Sequence, residues 1–131
     1  MSKTLKVGMI GYRFMGKAHS NAWRQAPHFM PMGASVELHT ICGRNPDGVA
    51  EAAKSLGWNN HSTDWKAVVE NPDIDIIDIN TPNDSHAEIA IAAAKAGKHV
   101  LCEKPLALTV EQCNEMVAAA EESKIVHMVC H

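Results

Sequence analysis

Residues 5–19 read LKVGMIGYRFMGKAH, and the reading of this stretch decides the fold. Leu5, Val7, Met9 and Ile10 form a short apolar run suited to a strand covered on both faces. Gly11 and Gly16 bracket a tight turn, and Lys17 to Gln25 has the composition of a helix. A strand that enters a helix through a glycine turn gathers unpaired backbone N–H groups at the positive end of the helix dipole, where phosphate binds. The dinucleotide fingerprint G-x-G-x-x-G appears here as Gly11-Tyr12-Arg13-Phe14-Met15-Gly16. The first and last glycines are present, and Arg13 replaces the middle one. Its guanidinium either contacts a phosphate from the side or points into solvent. All six residues are candidates for cofactor binding.

Working outward, strands and helices alternate along the chain. Pro27 to Gly33 holds two prolines and a glycine and reads as a loop. Val36 to Cys42 is a second strand. Asn45-Pro46 supplies an N-cap and a first-turn proline for a helix running to Leu56, with Gly57 as its stop. A brief third strand at Asn59 to His61 precedes a short helix, Asp64 to Glu70. Ile74 to Asn80 is a fourth strand, nearly continuous in isoleucine but interrupted by Asp78, which is expected to accept a backbone N–H. An alanine-rich helix follows from Ser85 to Ala96, then a fifth strand, Lys98 to Cys102. Thr109-Val110-Glu111-Gln112 is a capping box for a helix to about Lys124, and Ile125 to Val129 begins a sixth strand. This rhythm predicts an α/β fold, a doubly wound parallel sheet (Rossmann) with strand order 3-2-1-4-5-6.

The chain has 131 residues, the length of one domain, so residues 1–131 are expected to form a single nucleotide-binding unit. A formal net charge of −3 gives no basic footprint, so nucleic acid is not an expected partner. No apolar run approaches the roughly 20 residues that span a bilayer, and Met1 to Thr4 leads straight into the first strand with no signal-peptide core. Four cysteines lie far apart with no C-x-x-C pair, the usage of reduced cytoplasmic thiols. His127, Cys130 and His131 are metal-capable side chains, but strand alternation sends them to different faces, so no metal site is expected. His19 is expected to pack its helix. Because His131 ends the chain at the tip of a strand, the chain is expected to be the front part of a longer protein.

In an open parallel sheet, ligands bind outside the carboxyl ends of the strands. Those ends are Gly11-Tyr12-Arg13, Gly43-Arg44, Thr81-Pro82-Asn83 and Glu103-Lys104-Pro105, and they are expected to meet in one crevice. The second strand ends in Gly43-Arg44 without an acid. A carboxylate there would repel a 2′-phosphate, whereas arginine attracts one, so NADP is favoured over NAD. The alternative is that Arg44 stacks on adenine or faces water.

GYRFMGKAHSNAW, TPNDSHAEIAIAAAKAGKHVLCEKPLA and the final VCH resemble the nucleotide-binding half of the glucose–fructose oxidoreductase / inositol dehydrogenase / rhizopine catabolism family, across essentially all of the chain. The resemblance implies an NADP- or NAD-dependent oxidoreductase that transfers a hydride to or from a hydroxyl or carbonyl of a sugar, cyclitol or related polyol. It also implies Lys104 as the catalytic lysine, with Thr81, Pro82 and Asn83 lining the nicotinamide ribose and His86 orienting the following helix. A second domain, absent from this chain, would supply the substrate pocket, a further acid/base residue and a homo-oligomer interface. On chemical grounds an ammonium beside the reacting oxygen stabilises the developing alkoxide, and Glu103 would hold the lysine or the ribose. A dinucleotide-binding module without catalysis is the alternative, and it has no need of the Glu103-Lys104-Pro105 turn.

Overall fold

A computed structural model describes residues 3–131; Met1 and Ser2, read above as the lead-in to the first strand, lie outside the described residues. Six parallel strands form one sheet in the order β3-β2-β1-β4-β5-β6, as the alternation predicts. They are β1 (Lys3–Ile10), β2 (Ala34–Cys42), β3 (Asn60–Ser62), β4 (Ile76–Ile79), β5 (His99–Cys102) and β6 (His127–Val129). The helices are α1 (Phe14–Phe29), α2 (Pro46–Leu56), α3 (Trp65–Glu70), α4 (His86–Lys95) and α5 (Val110–Ser123), with a 3-10 turn at Asn83–Ser85 before α4.

Side-chain alternation along the strands divides the core in two. Val7, Met9 and Ile41 face α1 and α2 and pack with Val49, Ala52, Ala53 and Trp58. Ile10, Cys42, Ile77, Ile79, Val100 and Cys102 pack on the other face with Val68, Val69, Ala87, Ile89, Ala90, Ala93 and Met116. The alanines of α4 let that helix lie close to the sheet. Lys98 is an inward-turned cation whose Nζ donates to the carbonyls of Asn71 and Ile74 at 2.6 and 2.7 Å, stapling the α3–β4 loop. Burial pulls its pKa down, against the opposing pull of Asp75 and Asp73.

Two local expectations need correction. Phe14 and Met15 belong to the first turn of α1, not to the preceding turn. The helix also continues through Pro27 to Phe29, where a loop was expected. Proline breaks a helix by removing an N–H and crowding the preceding turn, but this one lies in the exposed last turn, where water can serve the freed carbonyl. At α5, Thr109 Oγ1 accepts from Gln112 N as the capping box requires, while Gln112 Oε1 reaches one residue further back, to Leu108 N.

Candidate functional site

Two helix N-termini, those of α1 and α4, lack a side-chain cap, and of these α1 is the one without an acidic residue in its first turn, since α4 carries Glu88 there. Asn45 caps α2, Asp64 caps α3 through two backbone N–H groups, and Thr109 caps α5. At α1 the N-cap is Arg13, with no side-chain cap and no acidic residue in the first turn. The first-turn N–H groups of the helix that follows the glycine turn are thus left without a side-chain acceptor, beside an exposed guanidinium. That donor set fits a diphosphate.

The turn geometry depends on its glycines. Gly11 has φ +101°, and a Cβ there would lie 2.6 Å from the carbonyl oxygen of Asn80. A Cβ on Gly16 would collide with the carbonyl oxygen of Gly11, so this glycine lets α1 seat against β1. The Tyr12 ring lies against Gly43 and Gly48, joining the turn after β1 to the turn after β2. Arg44 is exposed beside it. Thr81 N lies 3.0 Å from the Cβ position of Gly11, so the turn after β4 abuts the same point.

His86, fully buried, joins the next pair of turns. Its Nε2 faces the carbonyl oxygen of Thr81 at 2.8 Å and its Nδ1 faces that of Pro105 at 2.9 Å. The Lys104–Pro105 peptide is cis, and Lys104 itself is exposed. The four strand-end segments singled out above are therefore brought to one edge of the sheet, through direct contacts running from Gly43 to Tyr12, from Gly11 to Thr81, and through His86 to Pro105. Phe14 is 81% exposed, Met15 is half-buried, and Pro82 and Asn83 are exposed on the same rim.

Asp78, His19, Trp23, Asn80 and Glu103 make contacts at this edge that the sequence alone does not reveal. Asp78 is 0% exposed and accepts from side chains, not from the backbone. His19 Nδ1 donates to both its oxygens at 2.9 and 3.0 Å, Trp23 Nε1 donates at 2.7 Å, and Asn80 Nδ2 donates at 2.9 Å. His19 and Trp23 are one helical turn apart on α1, which is why they reach the same carboxylate. The other ring nitrogen of His19, Nε2, donates to Glu103 Oε1 at 2.8 Å, and Glu103 Oε2 accepts from Lys104 N at 3.0 Å. Burial opposes charge on His19, but Asp78 and then Glu103 outweigh it and raise its pKa from 6.5 to about 9. Asn80 Oδ1 is buried without a hydrogen-bond partner, an acceptor at the rim suited to a ligand hydroxyl.

Cys130 also approaches His19 and Glu103, and these three offer ligand atoms within 4.8 Å of one another. The 2.8 Å between Nε2 and Oε1 is a hydrogen bond, shorter than the roughly 3.3 Å between two ligand atoms around tetrahedral zinc. Burial raises the Cys130 thiol, with Asp78 and Glu103 adding to the shift. Burial likewise pushes Cys102 up to about 12 and Cys42 up to about 11, so both stay as inert thiols.

Comparison with known proteins identifies the family and the fold. A family described as "Oxidoreductase family, NAD-binding Rossmann fold" matches residues 5–131. Levoglucosan dehydrogenase of Pseudarthrobacter phenanthrenivorans is 50% identical over 128 residues, covering 97% of this chain and 33% of the relative. The solved structure of a levoglucosan dehydrogenase in complex with NADH and levoglucosan superposes with a TM-score of 0.94 at 50% identity, over 97% of this chain and 35% of that one. An inositol 2-dehydrogenase/D-chiro-inositol 3-dehydrogenase of Lactiplantibacillus plantarum is 31% identical, over 86% of this chain and 31% of the relative. The chain spans about a third of the length of these relatives. Among the described residues, no helix is long and apolar enough to cross a membrane.

Proposed function

The chain belongs to the oxidoreductase family with the NAD-binding Rossmann fold typified by glucose–fructose oxidoreductase and inositol dehydrogenase, and from that membership we propose that it is the cofactor-binding part of an NAD(P)-dependent sugar or polyol dehydrogenase. The observation that carries the reading is the meeting of the uncapped first turn of α1 with the Glu103-Lys104-Pro105 turn at one sheet edge.

In this reading Gly11, Tyr12, Arg13, Phe14, Met15 and Gly16 hold the diphosphate, chiefly through backbone N–H groups. Gly43 and Arg44 meet the adenosine end, and Thr81, Pro82, Asn83 and Asn80 meet the nicotinamide end. His86 holds the turns after β4 and β5 together. A bound nicotinamide supplies the hydride acceptor or donor. Lys104 stands beside the reacting oxygen and stabilises the charge that develops as the hydroxyl proton leaves. The substrate is a sugar or polyol, and the substrate pocket and self-association surface are assigned to sequence outside this chain, in keeping with its share of the relatives' length. The setting is cytoplasmic, in keeping with four unpaired cysteines.

Between the two dinucleotides, Arg44 and the absence of an acid at the end of β2 support NADP(H), whereas the NADH-bound relative at 50% identity supports NAD(H). The proposed cofactor is NAD(H), with NADP(H) accepted through Arg44. Lys104→Ala in the intact protein tests the catalytic assignment. Turnover should fall by about 1,000-fold or more while dinucleotide affinity changes by less than about threefold. Wild-type turnover in that variant would refute it.

A further inference from the structure

We propose that His19 is a positioning residue for this reaction: anchored by Asp78, its imidazolium grips Glu103 and so fixes the turn that presents Lys104. The inference rests on the role given to Lys104 above. Three segments remote in sequence supply the clamp, namely α1, β4 and the end of β5, with His19 lying 59 residues from Asp78 and 84 from Glu103. The chemistry of the contacts fixes the charge. Both ring nitrogens face carboxylate oxygens, which at neutral pH only accept, so both nitrogens donate and the ring is a cation.

Each carboxylate has a reason to need that cation. Asp78 is fully buried between Ile77 and Ile79, and its other two partners, Trp23 and Asn80, are neutral. A buried carboxylate without a cationic partner is strongly disfavoured. Glu103 is 8% exposed and divides its two oxygens between His19 and the backbone N–H of Lys104. The carboxylate is thus a rigid link from the imidazolium to the Lys104 backbone. When the imidazolium loses a proton, one of its nitrogens turns a lone pair toward a carboxylate and one side of the clamp is lost. The titratable groups facing His19 are Asp78 from β4, Glu103 after β5 and Cys130 after β6, with Cys102 behind Cys130. Both cysteines are held as neutral thiols by burial, so the two carboxylates set the charge state.

The intact protein, labelled with 15N-histidine, provides the test through NMR titration, NADH binding and steady-state kinetics of the wild type and His19→Gln. The expected result is a His19 ring with two N–H signals at pH 7 that titrates near pH 9. In His19→Gln, kcat should fall about 10- to 100-fold while the NADH Kd moves less than about threefold, since a misplaced catalytic group costs rate more than cofactor affinity. The wild type should show a decline of kcat above pH 9 that is absent from the variant. A single neutral tautomer at pH 7, or a variant kcat within about twofold of wild type, would overturn the proposal. Should His19→Gln fail to fold, Glu103→Gln decides. It keeps the shape of the link but removes one carboxylate, and the His19 titration should drop by at least about one pH unit. An unmoved titration counts against the clamp. A wild-type protein that binds NADH but turns over no sugar or polyol would defeat the functional reading, while the NMR titration would still judge the clamp.

Discussion

His86 and Pro105, nineteen residues apart, are tied by a hydrogen bond from the His86 Nδ1 to the Pro105 carbonyl at 2.9 Å, and the opposite ring nitrogen of His86 reaches the Thr81 carbonyl at 2.8 Å. The imidazole is a buried crosspiece between the turns after β4 and β5. Replacing it with alanine removes both contacts and leaves a void, so His86→Ala should cost about 3 kcal/mol of stability. Because the turns then separate, NADH affinity should fall by about tenfold or more. Denaturant unfolding and a fluorescence titration check the two effects, and an unchanged Kd would show that the turns hold without the crosspiece.

Gly11→Ala should be among the most damaging single substitutions. Its φ of +101° is strained for any L-residue, and the new methyl would press on the Asn80 carbonyl. We expect a loss of about 2–4 kcal/mol and no measurable dinucleotide binding in whatever fraction folds. Retained binding would mean that the turn tolerates a different path.

Cofactor choice turns on Arg44. Arg44→Ala should raise the KM for NADP⁺ about 10- to 100-fold while changing that for NAD⁺ only severalfold, the difference expected when one charged hydrogen bond to a phosphate is lost. Equal changes for the two dinucleotides would place Arg44 away from the 2′ position.

Stability should also depend on pH through His19. Its folded pKa, about 9, lies above the unfolded value of 6.5, so its contribution is complete below pH 6.5 and is lost as pH rises through 9. The gap corresponds to at most about 3 kcal/mol. Urea unfolding at pH 6 and pH 9.5 should show a gap between wild type and His19→Gln that narrows at the higher pH. A constant gap would mean that packing, not charge, accounts for the loss.

Much of the fold is legible in the sequence because its signals are local. The isoleucine run of β4, the Asn45-Pro46 start and Gly57 stop of α2, and the two glycines around residues 12–15 each act within a few residues. The convergence of the strand ends follows from the strand order alone. What the sequence hides is pairing across the sheet. Asp78 invites a backbone partner when read by itself, and only the placement of α1 over β4 shows that His19 and Trp23 were its donors. The spacing of four between those two residues is the one available signal, and it names a shared helix face without naming what that face meets. Pro27 misleads for a related reason, since a proline at an exposed helix end resembles a loop residue until the solvent side is known.

Helix α1 has a second consequence beyond the contacts it makes. Its first turn carries the free N–H groups, and His19, five residues later, lies about 7.5 Å further along the same axis. One stiff rod therefore joins the uncapped first turn to the carboxylate that holds the Lys104 backbone. Ser20, which bonds Gly16 and receives the Trp58 indole, anchors that rod to the body of the molecule. Any change that loosens this anchor tilts both ends at once, so damage far from either chemistry would be felt in affinity and in rate together.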